Sequence, residues 1–211
     1  MQSDEKVSPN HEKVLGRLLS LSDGIFAFAM TLLILNIVLP DSTTRAELPQ
    51  ALIALWPKYL SFLISFFVIG LYWISNVRQF RSMRKYNTGL LWLVLIFLMF
   101  IVLIPFSTSV LSNFEGRTSV ILYALNIACA GFTATGLWIF AVRKKLVDPN
   151  IGPAQVRRSI IMNLVSPVIF TLSIGLTFIN VQLAMYSWIL TFLGHKAVDW
   201  IFKVPKSDED I

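Results

Sequence analysis

Five stretches of the chain carry no Asp, Glu, Lys or Arg: residues 24 to 40, 59 to 77, 86 to 114, 118 to 142 and 159 to 195. Each approaches or exceeds the roughly 20 apolar residues that one membrane span requires. The last is too long for a single helix and is interrupted by Asn180-Val181-Gln182, which divides it into two spans meeting at a tight turn. The pattern predicts six helices over residues 18–39, 50–80, 87–112, 117–143, 155–179 and 182–203. The expected fold class is an all-α integral membrane protein, with a tail over 1–16, a six-helix domain over 17–203 and a second tail over 204–211.

Details of the runs refine this picture. Pro40 closes the first helix, and Asp41-Ser42-Thr43-Thr44 supplies capping residues before the second. Trp56, Tyr59, Tyr72 and Trp73 in the second span, with Trp188 and Trp200 in the sixth, are expected as interfacial anchors. Pro105 and Pro167 fall inside the third and fifth spans and predict kinks. Gly131, Thr133, Thr135 and Gly136 give the fourth span a small-residue side suited to close helix packing, which assigns that side to assembly.

Composition agrees with the run lengths. Of 211 residues, 55% are apolar and 14% charged, against about 25% charged in a soluble domain, and mean hydropathy is +0.69. The net charge of +6 is concentrated in alternate connections. Arg78, Arg81, Arg84 and Lys85 lie between spans two and three, and Arg143, Lys144, Lys145, Arg157 and Arg158 between spans four and five. The other connections carry Asp41, Arg45, Glu47, Glu115 and Arg117, and none lies between spans five and six. The positive-inside rule makes the basic loops cytoplasmic and places both termini inside, as an even number of spans requires. Loop placement explains the basicity through the bilayer as partner, so no nucleic acid is expected. Residues 1–16 lack the apolar core of a cleaved signal, and the first span is expected to direct its own insertion. The lone Cys129 gives neither a disulfide nor a zinc framework.

Candidate chemistry is sparse. The only histidines are His11 and His195, too few to set a base beside a nucleophile in the spans, so an enzyme is not expected and no cofactor or metal cluster is called for. His195 with Lys196 and Asp199 could form a proton relay, but such an interfacial cluster is ordinarily no more than a solvated helix end. A voltage sensor would need arginine at every third position of a span, and none has it. A proton-coupled or small-solute carrier would need ionisable groups in the spans, and only Asp23, at the entrance of the first, is available. A channel requires less: a wet path, a constriction and dipoles or hydroxyls that replace hydration. In the first span Phe28, Thr31 and Leu35 fall within roughly 60 degrees of one another at 100 degrees per residue, with Leu32 beside them and Asp23 pointing away. One helix cannot enclose a path, so this face would have to recur around a symmetry axis. The same spacing also suits plain packing residues, with Thr31 bonded to its own helix.

The run Arg17-x-x-x-Leu21-Ser22-Asp23-Gly24, continuing Ile25-Phe26-Ala27-Phe28-Ala29-Met30-Thr31-Leu32-Leu33, resembles the Arg-x-x-x-Phe-Ser-Asp signature of the transmembrane protein 175 family in its bacterial single-repeat form. Ile69-Gly70-Leu71-Tyr72-Trp73, Leu91-Trp92 and Pro105-Phe106-Ser107-Thr108 resemble its later motifs. The resemblance implies a potassium-selective homotetramer in a bacterial plasma membrane, with helix one lining the pore and no Thr-Val-Gly-Tyr-Gly loop. It implies a constriction at Phe28, a hydroxyl layer at Thr31 where potassium passes, and further apolar rings at Leu32 and Leu35. Arg17, Ser22, Asp23 and Gly24 are implied to join helix one to its neighbours. Leu21 stands where the signature has phenylalanine, and Asn76 is expected to replace a histidine that usually meets the Ser-Asp pair.

Overall fold

The computed structural model describes residues 9–114 and 116–202, so Glu115, the first half of the tail expected over 1–16 and all of that expected over 204–211 lie outside the described residues. The helices are α1 (Pro9–Leu32), α2 (Leu48–Ala54), α3 (Trp56–Arg81), α4 (Thr88–Asn113), α5 (Arg117–Arg143), α6 (Pro153–Leu176), α7 (Val181–Ser187) and α8 (Ile189–Ile201). Five of them are long and apolar enough to cross a membrane. At 1.5 Å per residue the 26 residues of α3 or α4 span about 39 Å, more than the roughly 30 Å of hydrocarbon.

Several expected boundaries move. Helix one begins at Pro9 instead of residue 18, so part of the expected tail extends the helix, and its last turn tightens to a 3₁₀ segment over Leu33–Asn36. The second span is split into α2 and α3 because Pro57 has no N–H to continue the ladder and its ring crowds the preceding turn. The sixth is divided at Trp188, where Trp188 N–H bonds Met185 O and Thr191 N–H bonds Trp188 O in three-residue steps.

Helix α5 is the axis of the bundle, with 61% of its apolar window buried. It packs on α4 and α6, while α1 lies against α3 and α4, and α7 and α8 lie on α6. Small residues permit the close crossings: a Cβ added at Gly131 would stand 2.7 Å from the Pro167 ring of α6. Gly131 and Thr135 are buried, as a packing side requires, but Gly136 is exposed with open space where its Cβ would be. Hydroxyls tie the layers together, Thr108 donating to Ser65 Oγ at 2.8 Å and Ser65 meeting Tyr123 OH at 3.0 Å.

Two of the expected interfacial anchors belong to the core. Tyr72 is buried and donates to Ile127 O at 2.8 Å, so its hydroxyl is satisfied inside the bundle. Trp188 stacks on Phe170 at 5.2 Å and donates to Ser173 Oγ at 3.0 Å. Trp56 and Trp200 remain exposed. The two basic connections lie at one end, joined by an antiparallel bridge between Met83 and Val147 and by an Arg84–Asp148 ion pair at 2.7 Å.

Candidate functional site

Helix α1 has two unlike faces. Leu15, Ser22, Phe26, Ala29 and Leu33 are buried against α3 and α4. The opposite face, Arg17, Leu21, Gly24, Ala27, Phe28, Thr31 and Leu35, is uncovered, with Phe28 61% and Leu35 66% exposed. Phe28, Thr31 and Leu35 therefore share an open surface, whereas Leu32 is half-buried and sits at its edge, rotated toward the neighbours that bury Leu33. Glycine 24 belongs to this surface too, with nothing within 4 Å of its added Cβ.

Thr31 Oγ1 donates to Phe28 O at 2.8 Å. A hydroxyl has one proton and two lone pairs, so once that proton is used within the helix only acceptors remain to face outward. Ser20 does the same toward Gly16 O at 3.0 Å.

The Ser-Asp pair anchors the helix in a way the sequence did not specify. Ser22 is buried and donates to Leu18 O at 2.9 Å, a bond within its own helix. Asp23 turns to α3, where Trp73 Nε1 donates to Oδ1 at 2.9 Å. The expected partner Asn76 does not take that place: it is 4% exposed, and its Nδ2 has no partner among the described residues. It lies three residues beyond Trp73, deeper between the helices, beside Ser75 and Gln79. Ser75 donates to Asn163 Oδ1 of α6 and accepts from Gln79 Nε2 at 3.3 Å. Trp73 was legible only as an anchor, because an indole N–H carries no charge pattern that marks it as a carboxylate partner.

Arg17 also departs from its expected role. It is exposed and makes no hydrogen bond or ion pair among the described residues, instead of joining helix one to its neighbours. The reason is phase: eleven residues separate it from Phe28, about 20 degrees around the helix, so it lies on the same open face. The far end of α1 is held by Asn36, whose Nδ2 donates to Pro105 O at 3.3 Å. His195 contacts Thr191 O at 2.7 Å, whereas Asp199 pairs with Arg158 at 2.7 Å, so the two do not form a relay.

No group of three metal-ligating side chains occurs among the described residues.

With this geometry in view, residues 17–105 match the sequence model of the family described as TMEM175, endosomal/lysosomal potassium channel. A protein named as a potassium channel from Streptomyces collinus is 31% identical over 176 residues, covering 81% of this chain and 85% of its own. A second potassium channel, from Chamaesiphon minutus, is 28% identical over 177 residues, covering 81% and 87% respectively. The crystal structure of a lysosomal potassium-selective channel TMEM175 homolog from Chamaesiphon minutus superposes with a TM-score of 0.77 at 25% identity, covering 89% of this chain and 99% of that one.

Proposed function

The chain belongs to the TMEM175 family, and from that premise we propose that it is a potassium channel whose conduction path is enclosed by the open face of α1 repeated in a homotetramer. The named relatives are channels and not enzymes. In this reading α7 and α8 together make the sixth span, both termini are cytoplasmic, and the protein resides in a bacterial plasma membrane. Phe28 forms the narrowest ring, Thr31 the hydroxyl layer that meets potassium, and Leu35 with the edge residue Leu32 further apolar rings.

One observation carries this choice: the open face of α1 is unlike a lipid-facing one. The outer face of α4 exposes Trp92, Leu95, Ile96, Met99, Val102, Leu103 and Phe106, large apolar side chains throughout, as hydrocarbon contact favours. The open face of α1 instead mixes Arg17, Ser20, Gly24, Ala27 and Thr31 with Leu21, Phe28 and Leu35. Small and polar groups facing lipid would forfeit apolar contact, whereas around an axis they leave room and acceptors for a hydrated cation.

The test is potassium flux from liposomes holding the purified protein. The expected result is a downhill, non-saturating potassium current that Phe28→Ala increases while lowering preference for potassium over sodium. Silence under every gradient, or saturable uptake coupled to protons, contradicts the reading.

A further inference from the structure

At the end of the bundle that carries the basic connections, the last turn of α5 and the first two turns of α6 leave an open groove of about 670 Å³. Val142 of α5, Ile151 of the connection, and Val156, Arg157, Ile160 and Ile161 of α6 line it. Positions 153, 156, 157, 160 and 161 follow the three- and four-residue spacing of a single helix face, so the first half of α6 presents an apolar stripe that no described helix covers. Arg157 is exposed and has no partner among the described residues. Arg143, Lys144 and Lys145 follow Val142 directly, all exposed and likewise without partners among the described residues.

We propose that this groove is a binding site for one anionic phospholipid, its acyl chain lying on Val142, Val156, Ile160 and Ile161 and its phosphate held by Arg157 and the Arg143–Lys145 cluster. A groove of this volume falls in the range of small-molecule sites, and its lining sets one cationic side chain, Arg157, among apolar ones, as an anionic amphiphile requires. Free phosphate would use the rim and leave the apolar floor wet. A second copy docked about a twofold axis would set the basic groups against each other, and like charges so placed repel; a neighbour in a ring would meet the groove with a different face, which the oligomeric state of the Val156→Trp protein reads. Of the described acids at this end, Asp148 is paired with Arg84 and Asp199 with Arg158, which leaves Glu12 of α1 against four exposed cations. An anionic leaflet supplies both the chain and the charge that the groove lacks.

The site is independent of the conduction path and is tested without flux. The protein in detergent is given phosphatidylglycerol or phosphatidylcholine of identical acyl chains, and retained lipid is counted by native mass spectrometry. Phosphatidylglycerol is expected to be retained in clear preference. Arg157→Gln, a change on an exposed side chain, is expected to weaken it about fivefold, the factor one basic residue contributes at an anionic surface. Val156→Trp, which fills the groove, is expected to reduce retention of both lipids at this site. Equal retention of the two lipids overturns the proposal, as does unchanged retention in Arg157→Gln. Stabilisation by inorganic phosphate alone that matches phosphatidylglycerol, or a Val156→Trp protein that changes oligomeric state while keeping its lipid, overturns it too.

Discussion

Replacing Trp73 by phenylalanine removes one N–H and leaves an aromatic ring against α1. The lost bond runs 2.9 Å from Nε1 to Asp23 Oδ1, a carboxylate acceptor. Hydrogen bonds to charged groups contribute about 1.5–3 kcal/mol. Trp73 is 40% exposed and Asp23 only half-buried, which places this bond at the lower end, about 1–2 kcal/mol per chain. For a chain of this length each kcal/mol moves the melting temperature by about 2–4 °C, so the expected loss is about 2–8 °C. Asp23→Asn keeps an oxygen in place and weakens the bond to neutral strength, so its loss is expected to be smaller, about 1 kcal/mol. The double variant should lose little more than Trp73→Phe alone, because both changes remove the same contact. Thermal unfolding followed by size-exclusion reports these values, with potassium and sodium flux measured on the same preparations. Additive losses, or an altered ion preference at unchanged melting temperature, would refute the placement of Asp23 as an anchor outside the path.

Thr31→Val keeps the shape and deletes the hydroxyl. On an exposed position its folding cost is expected within about 0.5 kcal/mol, while the potassium-to-sodium permeability ratio from reversal potentials should fall; an unchanged ratio removes Thr31 from the path. Gly131→Ala drives a methyl to 2.7 Å from the Pro167 ring, an overpacking expected to cost about 1–3 kcal/mol, and Gly136→Ala, which meets open space inside α5, should raise the melting temperature slightly, by the roughly 0.5–1 kcal/mol that alanine gains over glycine in a helix. The Asn150 N–H, then Arg84, hold the Asp148 carboxyl below its usual value. A depressed carboxyl stabilises the fold above the ordinary range and loses that contribution as pH falls through its folded value, so the clasp should open only below about pH 3.9. Amide protection at Lys85 and Asp148, whose N–H groups bond Leu146 O and Ser82 O, taken relative to the intrinsic exchange rate at each pH, reads that opening; protection lost already near neutral pH would contradict it.

The positions of the long helices were legible because charge in hydrocarbon is expensive wherever it sits, so charge-free runs mark the spans. Helix phase was legible on α1 for the same kind of reason: 100 degrees per residue sets Phe28, Thr31 and Leu35 together before any neighbour is known. What a residue meets across the bundle was not. Tyr72, Trp73 and Trp188 share an amphipathic chemistry that suits an interface, a core hydroxyl bond or a carboxylate partner equally well, and only the crossings of α3 with α5 and α1, and the packing of Trp188 on α6, decide among them. For Arg17 the two signals in the sequence diverge, because the motif around it points to neighbouring helices while helical phase sets it beside Phe28, and the structure follows the phase. The α2–α3 break was signalled by Pro57, whereas the break at Trp188 had no proline or glycine to announce it.

How a path without acids could favour cations follows from where its hydroxyl protons go. In an apolar surrounding each polar hydrogen seeks an acceptor, and on a helix the nearest is a carbonyl three or four residues back. Ser20 and Thr31 both donate inward to Gly16 O and Phe28 O. Each exposed hydroxyl on the open face of α1 thereby presents lone pairs and no proton. An anion entering a path lined by that face would meet apolar carbon and acceptors alone, whereas a cation losing water meets oxygen. Donors return only at Arg17, beyond the Ser-Asp pair at the end of the span, where a ring of four guanidinium groups would sit in water and not in the constriction. On the proposed reading, cation preference thus arises from the helix consuming its own hydroxyl protons and requires no carboxylate in the path, which leaves Asp23 available to hold α1 against Trp73.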